Sequence, residues 1–322
     1  MKIVILDDYQ DSVRKLACFS KLAIHTVKTY TNNVKGLGQL SVRLKDAEIV
    51  VLIRERTSIN AALLDKIPKL KLIVQTGRIS QHIDIAACEA RGITVLEGSS
   101  NPRPAAEFTW ALIMAAMRRI PQYMAHTKQG VWQQSGLKSS AMPDNFALGQ
   151  RLAGKTLGIL GYGNIGRIVA QFGHAFAMNV VVWGSESTLK RAAEEGRVVA
   201  RSRQDFFESC DVLSLHLRLA ESTKAYVTLS DLQQMKPTSL FVNTARAELI
   251  QADALLAALN RGRPGMAAID VFESEPQLAG NPLMRLENAL CTPHIGFVEL
   301  ENYEFIFSEA FDAINAYAAK PR

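Results

Sequence analysis

Along the first hundred residues, short apolar runs alternate with amphipathic stretches. Strands are predicted at 3–6 (Ile3-Val4-Ile5-Leu6), 23–27, 49–53, 72–74 and 93–95, with helical stretches between them, the clearest at 38–44, 61–67 and 85–90. The strands are nearly continuous in apolar residues instead of alternating. A sheet buried on both faces needs that pattern, so this β-α-β-α order implies a parallel sheet covered by helices on both sides. Residues 101–119 read as one long helix that bridges two units, with Pro102 and Pro104 at its start and Pro121 beyond its end. Residues 122–150 read as irregular and polar with apolar anchors Trp132 and Phe146, a length that suits a functional loop or an inter-subunit arm.

Alternation resumes near residue 152. Apolar strands are predicted at 157–160, 180–183, 198–200, 212–215, 240–242, 267–269 and 289–291. A last helix at about 299–319 carries Phe305, Phe307, Ala310, Phe311 and Ile314, and is expected to return to the first unit. The predicted fold class is α/β, with two doubly wound parallel-sheet domains.

One string organises the second unit. Lys155-Thr156-Leu157-Gly158-Ile159-Leu160-Gly161-Tyr162-Gly163-Asn164-Ile165-Gly166 reads as a buried strand that turns on glycines and opens into a helix. Gly161 allows the tight turn, Gly163 lets backbone approach a pyrophosphate, and Gly166 lets the helix pack close to the strand. The helix N-terminus then offers free N–H groups and a partial positive charge to the anion. A glycine-rich turn alone proves little, but here a strand precedes it and the strand Val180-Val181-Val182-Trp183 closes a βαβ unit. The expected ligand is a dinucleotide.

Composition narrows the function classes. The 322 residues suit two domains of ordinary size, and the formal charge of +6 comes from scattered basic residues, which argues against nucleic acid and fits anionic small molecules. Cys18, Cys88, Cys210 and Cys291 are far apart, with no metal-ligand spacing, so no metal is expected and the thiols suit a reducing compartment. The start lacks a signal-peptide pattern, and the apolar run at 108–117 is too short to span a bilayer. A soluble cytoplasmic protein is expected.

Candidate chemistry follows the second unit's strands. Arg246 comes after Phe241-Val242-Asn243, Glu275 after Ile269-Asp270-Val271-Phe272, and His294 after Ala289-Leu290-Cys291-Thr292. Strand carboxyl ends are where a doubly wound sheet binds ligand, so three residues distant in sequence can converge. A guanidinium can hold a carboxylate, an imidazole can pass a proton near neutral pH, and a carboxylate beside it can orient the ring. In the first unit, Arg54 and the turn Gly77-Arg78-Ile79 also stand at strand ends, as candidate substrate contacts or as solvated surface. His25, His82, His126 and His174 have no such set around them and read as structural or surface residues.

The strings Gly161 to Gly166, Asp211-Val-Leu-Ser-Leu-His216, Met235-Lys-Pro, Phe241-Val-Asn-Thr-Ala-Arg246, Ile269-Asp-Val-Phe-Glu-Ser-Glu-Pro276 and Thr292-Pro-His-Ile-Gly296 together resemble the D-isomer-specific 2-hydroxyacid dehydrogenases, including their phosphoglycerate dehydrogenase and hydroxypyruvate or glyoxylate reductase branches. The resemblance covers nearly the whole chain, in the family's order. It implies a flavodoxin-like substrate domain at 1–100 plus 297–322 and a Rossmann NAD(P)-binding domain at 101–296. The implied reaction is hydride transfer between nicotinamide and a small D-2-hydroxy or 2-oxo acid, in a homodimer whose two domains close over the substrate. By the same resemblance Arg246 binds the substrate carboxylate, His294 exchanges the proton and Glu275 supports it. Gly161, Gly163, Asn164, Ile165, Gly166, Leu217, Arg218, Thr244, Ala245, Asp270 and Gly296 are expected at the cofactor, with Ser185 and Glu186 toward its ribose and His216 as scaffold beside it; Thr109 resembles the family's helix residue near the nicotinamide or packs in the core.

Several positions depart from the family pattern. The aspartate that usually ends the second nucleotide strand and meets the ribose hydroxyls is Gly184, followed by Ser185, Glu186 and Ser187. Glu186 two positions on tips the reading toward NAD, with NADP left open by Lys190 and Arg191. The proline expected after the His216 string is Arg218, and the first domain's G-x-G-x-D turn reads Gly77-Arg78-Ile79-Ser80-Gln81, which leaves the substrate acid unidentified. Two alternatives remain at this stage. One is a non-catalytic NAD-sensing regulatory protein on the same fold; the other, a formate-type dehydrogenase, pairs its histidine with glutamine where this chain has Glu275.

Overall fold

The computed structural model describes residues 1–137, 142–277 and 280–320, so part of the 122–150 arm and the last two residues fall outside the described residues. The chain divides into two compact units, Met1–Asn101 with Val298–Arg322, and Pro102–Phe297.

Among the described residues the first unit holds strands β1 (Lys2–Ile5), β2 (Thr26–Thr29), β3 (Ile49–Ile53), β4 (Leu72–Thr76) and β5 (Thr94–Glu97). They form a parallel sheet in the order β2-β1-β3-β4-β5. Helices α1 (Leu37–Leu44), α2 (Ala61–Leu64) and α3 (Ile85–Glu89) lie between these strands in the chain. Val4, Val50, Leu52 and Ile73 pack with Leu40, Leu44, Leu63 and Cys88 in one core cluster. Every residue of β3 and of β4 is buried, as expected of central strands covered on both faces.

One strand lies further along than the apolar pattern of 23–27 suggests. Residues 17–22 wind as a 3-10 helix, and Ala23 and His25 donate back to Ser20 and Leu22, so β2 begins only at Thr26. Ile24, which looked like strand core, is 82% exposed in that turn.

The second unit begins with α4 (Arg103–Met117) and α5 (Ile120–Lys128). The segment after Arg119 is therefore helical where the sequence suggested irregular chain. Arg119, in the left-handed region, breaks α4 from α5, and Pro121 sits in the first turn of α5, where its missing N–H needs no partner. Phe146 is buried as expected, but Trp132, expected as a second apolar anchor, is 77% exposed.

Then follow β6 (Thr156–Leu160), α6 (Asn164–Ala175), β7 (Asn179–Trp183), α7 (Glu186–Glu194), β8 (Val198–Val199), α8 (Arg203–Ser209) and β9 (Val212–Leu215). After them come α9 (Leu229–Gln234), β10 (Leu240–Asn243), α10 (Ala254–Asn260), β11 (Met266–Ile269) and β12 (Ala289–Cys291). Among the described residues these strands make a parallel sheet ordered β12-β11-β10-β9-β6-β7-β8. Alternate residues serve opposite faces. Leu240 and Val242 join one core cluster with Ile113 of α4 and Val169 of α6, while Phe241 joins another with Phe206 of α8 and Leu255 of α10.

Strand order reverses direction between β6 and β9, the place where such a sheet opens a crevice at its carboxyl ends. The chain closes with α11 (Leu300–Ala318), which belongs to the first unit and packs on β4 and the 3-10 helix through buried Tyr303, Phe307, Phe311 and Ile314. Among the described residues no helix is long and apolar enough to cross a membrane.

Candidate active site

The glycine turn after β6 shows three separate requirements. Gly161 has φ +97°, and a Cβ there would stand 2.8 Å from the carbonyl carbon of His216. A Cβ on Gly166 would stand 2.3 Å from the Gly161 carbonyl oxygen, so α6 could not pack this close to the turn with any other residue. Around Gly163 the Cβ direction is open, with no atom within 4 Å. Backbone therefore faces unfilled space at the start of α6, and no side chain caps the helix there. Asn164 and Ile165 open that helix, so their N–H groups belong to the uncapped first turn. An open glycine beside uncapped donors suits a dinucleotide's pyrophosphate.

His216 follows β9 directly under this turn. Its N–H donates to Leu160 O at 2.7 Å, and its Nε2 lies 2.8 Å from Ser214 Oγ. Burial pushes its imidazole down to about 4, so it is neutral at physiological pH and acts as scaffold. Beyond it, Leu217 is half-buried and the Arg218 carbonyl accepts from Thr223 Oγ1 at 2.7 Å. On the other flank, Ser185 caps α7 and Glu186 lies exposed in that helix's first turn.

The turn after β10 is held by Asn243. Its Oδ1 accepts from the Ala245 N–H at 3.0 Å and its Nδ2 donates to the Arg246 carbonyl at 2.9 Å. Thr244 is fixed from the α4 side: Thr109 Oγ1 donates to Ala105 O at 2.7 Å and lies 2.7 Å from Thr244 Oγ1, so Thr244 is the donor of that pair. The two clamps fix the backbone on which Arg246 stands. Arg246 Nη1 in turn donates to Ala245 O at 2.7 Å.

Glu275 and His294 meet. His294 Nδ1 lies 2.6 Å from Glu275 Oε2, and Glu275 Oε1 accepts from the Phe272 N–H at 2.9 Å. The two side chains are 23% and 30% exposed, enough for a small molecule to reach them. Burial raises the Glu275 carboxyl, but hydrogen bonding and charge from His294, the Phe272 N–H and the Arg246 charge together outweigh it and hold the group below its ordinary range. The carboxylate thus feels imidazole and guanidinium at once. With Nδ1 engaged, Nε2 is the ring nitrogen left for a substrate.

His294 has φ 53°, an uncommon conformation for a non-glycine residue, and Asp270 is what holds it. Asp270 Oδ1 accepts from Thr292 Oγ1 at 2.7 Å and from the Ile295 N–H at 2.9 Å, and Oδ2 accepts from the Gly296 N–H at 2.9 Å. Burial raises this carboxyl's pKa against the pull of those donors. Asp270 therefore builds the turn that carries the imidazole, a task that sequence reasoning did not assign it. Phe297 adds a ring edge-on to His294, with centroids 5.8 Å apart. Asn243, Thr292 and Phe297 were not singled out from sequence; the first two lie inside quoted strings, and nothing marked Phe297.

In the first unit the candidates separate. Arg54, at φ 54°, covers Gly77 so closely that a Cβ on that glycine would stand 2.4 Å from Arg54 Nη1. The Arg78 side chain is 73% exposed, 3.9 Å from Glu97, and the Ile79 N–H is given to Glu97 Oε2 at 3.0 Å. Arg54 and Gly77 thus form one close pair, while Arg78 and Ile79 turn toward Glu97. His25 and His82 are tied to Asn315 and Gln75. Burial pushes the Cys210 and Cys291 thiols up to about 12 and about 11, so both stay protonated.

Comparison with known proteins places this arrangement. Residues 110–296 match the family model described as D-isomer specific 2-hydroxyacid dehydrogenase, NAD binding domain. The chain is 37% identical over 237 residues to glyoxylate reductase of Aeropyrum pernix, covering 73% of this chain and 70% of that one. It is 32% identical over 298 residues to D-3-phosphoglycerate dehydrogenase of Methanocaldococcus jannaschii, covering 92% of this chain but 53% of that longer enzyme. The solved structure of an oxidoreductase from Ralstonia solanacearum is 58% identical, with a TM-score of 0.97 over 98% of this chain and 94% of that one.

Proposed function

Because the chain belongs to the D-isomer specific 2-hydroxyacid dehydrogenase family, we propose that it reduces or oxidises a small 2-oxo or D-2-hydroxy acid at Arg246, Glu275 and His294. The observation that carries the reading is the 2.6 Å bond between His294 Nδ1 and Glu275 Oε2, within the field of Arg246. A nicotinamide dinucleotide held on the glycine turn at Gly161, Gly163 and Gly166 would be the source or acceptor of hydride for the acid's second carbon. Arg246 pairs with the substrate carboxylate and steadies charge building on the neighbouring oxygen. His294 Nε2 gives that oxygen its proton in the reductive direction and takes it back in the oxidative one. Glu275 fixes the ring's orientation through the Nδ1 bond, which leaves Nε2 to face the substrate.

We assign the cofactor to the unit at 102–297, on Gly161, Gly163, Asn164, Ile165 and Gly166, with Leu217, Thr244, Ala245 and Gly296 along its length. Substrate contact in the first unit is assigned to Arg54 over Gly77, with Arg78 and Ile79 kept as further candidates. The non-catalytic sensor is not favoured, because the relatives are named as dehydrogenases and reductases and the proton-transfer pair is complete. Glyoxylate, hydroxypyruvate, phosphohydroxypyruvate and pyruvate, each with NADH and NADPH, form the deciding screen. Oxidation of reduced cofactor with at least one acid is expected; nucleotide binding with no turnover on any would refute the enzyme reading.

Acid stability offers a second check on the pair. Since the folded-state pKa of Glu275 is depressed, its contribution is complete above the ordinary glutamate value and is lost as pH falls through the lowered one. The difference in unfolding temperature between the native chain and Glu275→Gln should therefore be steady above about pH 5 and shrink as the solution is acidified. A difference that does not change as the pH falls below about 5 would contradict the lowered Glu275 pKa.

A further inference from the structure

The adenosine end of the nucleotide site is built differently from a strand that ends in a carboxylate. Trp183 ends β7 and Gly184 follows; a Cβ there would stand 2.9 Å from Thr188 Cγ2 and 3.1 Å from Thr188 Cβ. A side chain at 184 would require Thr188, in the first turn of α7, to shift. In a βαβ nucleotide unit an acid at this place accepts from the ribose 2′-hydroxyl, and its charge opposes a 2′-phosphate. Here three hydroxyls gather beyond it, with Ser185 Oγ 3.0 Å from Ser187 Oγ and 3.1 Å from Thr188 Oγ1. Hydroxyls can donate as well as accept, so they discriminate against neither form.

The helix that carries these hydroxyls also carries a cation. Arg191, on α7, sends Nη1 back to the Tyr162 carbonyl at 3.4 Å, between the first two glycines of the pyrophosphate turn. That partner is a neutral carbonyl, which orients the guanidinium without neutralising it. The Tyr162 side chain is tied to the same region: the residue is 1% exposed, its hydroxyl donates to Glu195 Oε2 at 2.9 Å, and Arg197 Nε donates to that hydroxyl at 3.0 Å. Glycine turn and α7 are thereby locked together, with Arg191 spanning them.

We propose that this end of the site accepts a 2′-phosphorylated adenosine, so that NADP(H) is used at least as well as NAD(H), with Arg191 as the cation that meets the 2′-phosphate and Ser185 and Ser187 donating to it. The assignment rests on the dinucleotide reading above and runs against the leaning toward NAD that Glu186, exposed in the same turn of α7, gave from sequence. Arginine suits the task because its planar fork matches phosphate oxygens.

Calorimetric titration of the full chain with 2′,5′-ADP, 5′-AMP, NADPH and NADH separates the possibilities without relying on turnover. 2′,5′-ADP should bind roughly tenfold or more tightly than 5′-AMP, as a charge-assisted bond to phosphate allows. Arg191→Ala should weaken 2′,5′-ADP and NADPH by roughly tenfold while 5′-AMP and NADH stay within about twofold, and Arg191→Lys should recover part of the loss. Equal affinity for the two adenosine probes in the native chain, or an equal loss for both in Arg191→Ala, would overturn the assignment. NADH binding with NADPH rejected overturns only the phosphate site; failure of every nucleotide to bind overturns the dinucleotide reading with it.

Discussion

Replacing His294 with alanine is expected to lower turnover by about 10²–10⁴-fold while the dissociation constant for NADH changes by less than about twofold. The size follows from what a positioned acid or base supplies, because without it the substrate oxygen must exchange its proton with solvent. Selectivity for turnover follows from position. His294 lies after β12, whereas the pyrophosphate turn lies after β6 and is shaped by Gly161, Gly166 and His216.

A complication comes from the backbone, since His294 has φ 53° and alanine tolerates that region poorly. Asparagine adopts it more readily, so His294→Asn removes the imidazole with less disturbance of the turn that Asp270 holds. Both variants should show the same large loss of turnover and both should bind NADH, as fluorescence titration beside steady-state kinetics would show. Retained turnover in His294→Asn would take the imidazole out of the reaction.

Much of this arrangement was legible before any coordinates, and the reason is geometric. Apolar runs such as Ile49-Val50-Val51-Leu52-Ile53 can be satisfied only inside a sheet covered on both faces, and a parallel sheet collects its strand ends on one side. Motifs at those ends can therefore be placed near one another without knowing a single contact. His294 and Glu275, which the structure brings into direct hydrogen bonding, were within reach of that argument.

What escaped it depends on the backbone. Asn243 and Asp270 spend their side chains on N–H and carbonyl groups of the turns that carry Arg246 and His294, and no periodicity signals such bonds. The start of α5 was missed because Pro121 reads equally as a helix stop or as a first-turn residue. Position 184 was legible as a departure, but the collision of a side chain there with Thr188 is a property of how closely α7 follows β7.

Loss of the Arg246 guanidinium is expected to cost nearly as much as loss of the imidazole. Arg246→Ala should lower kcat/KM for the 2-oxo acid by roughly 30- to 5,000-fold, the equivalent of about 2–5 kcal/mol for stranding one partner of a hydrogen-bonded charge pair. Arg246→Lys keeps the charge but loses the planar fork, so it should recover only part of the activity. Its binding of NADH should stay close to native.

A second consequence travels through Glu275, whose carboxyl is held low in part by the Arg246 charge. Removing that charge lets the carboxyl rise toward its ordinary range, so Glu275 becomes protonated at a higher pH than in the native chain. The acid limb of the pH–rate profile should therefore move up in Arg246→Ala and much less in Arg246→Lys. An Arg246→Ala enzyme with native kcat/KM and an unmoved acid limb would show that the guanidinium neither holds the substrate nor acts on the pair beside it.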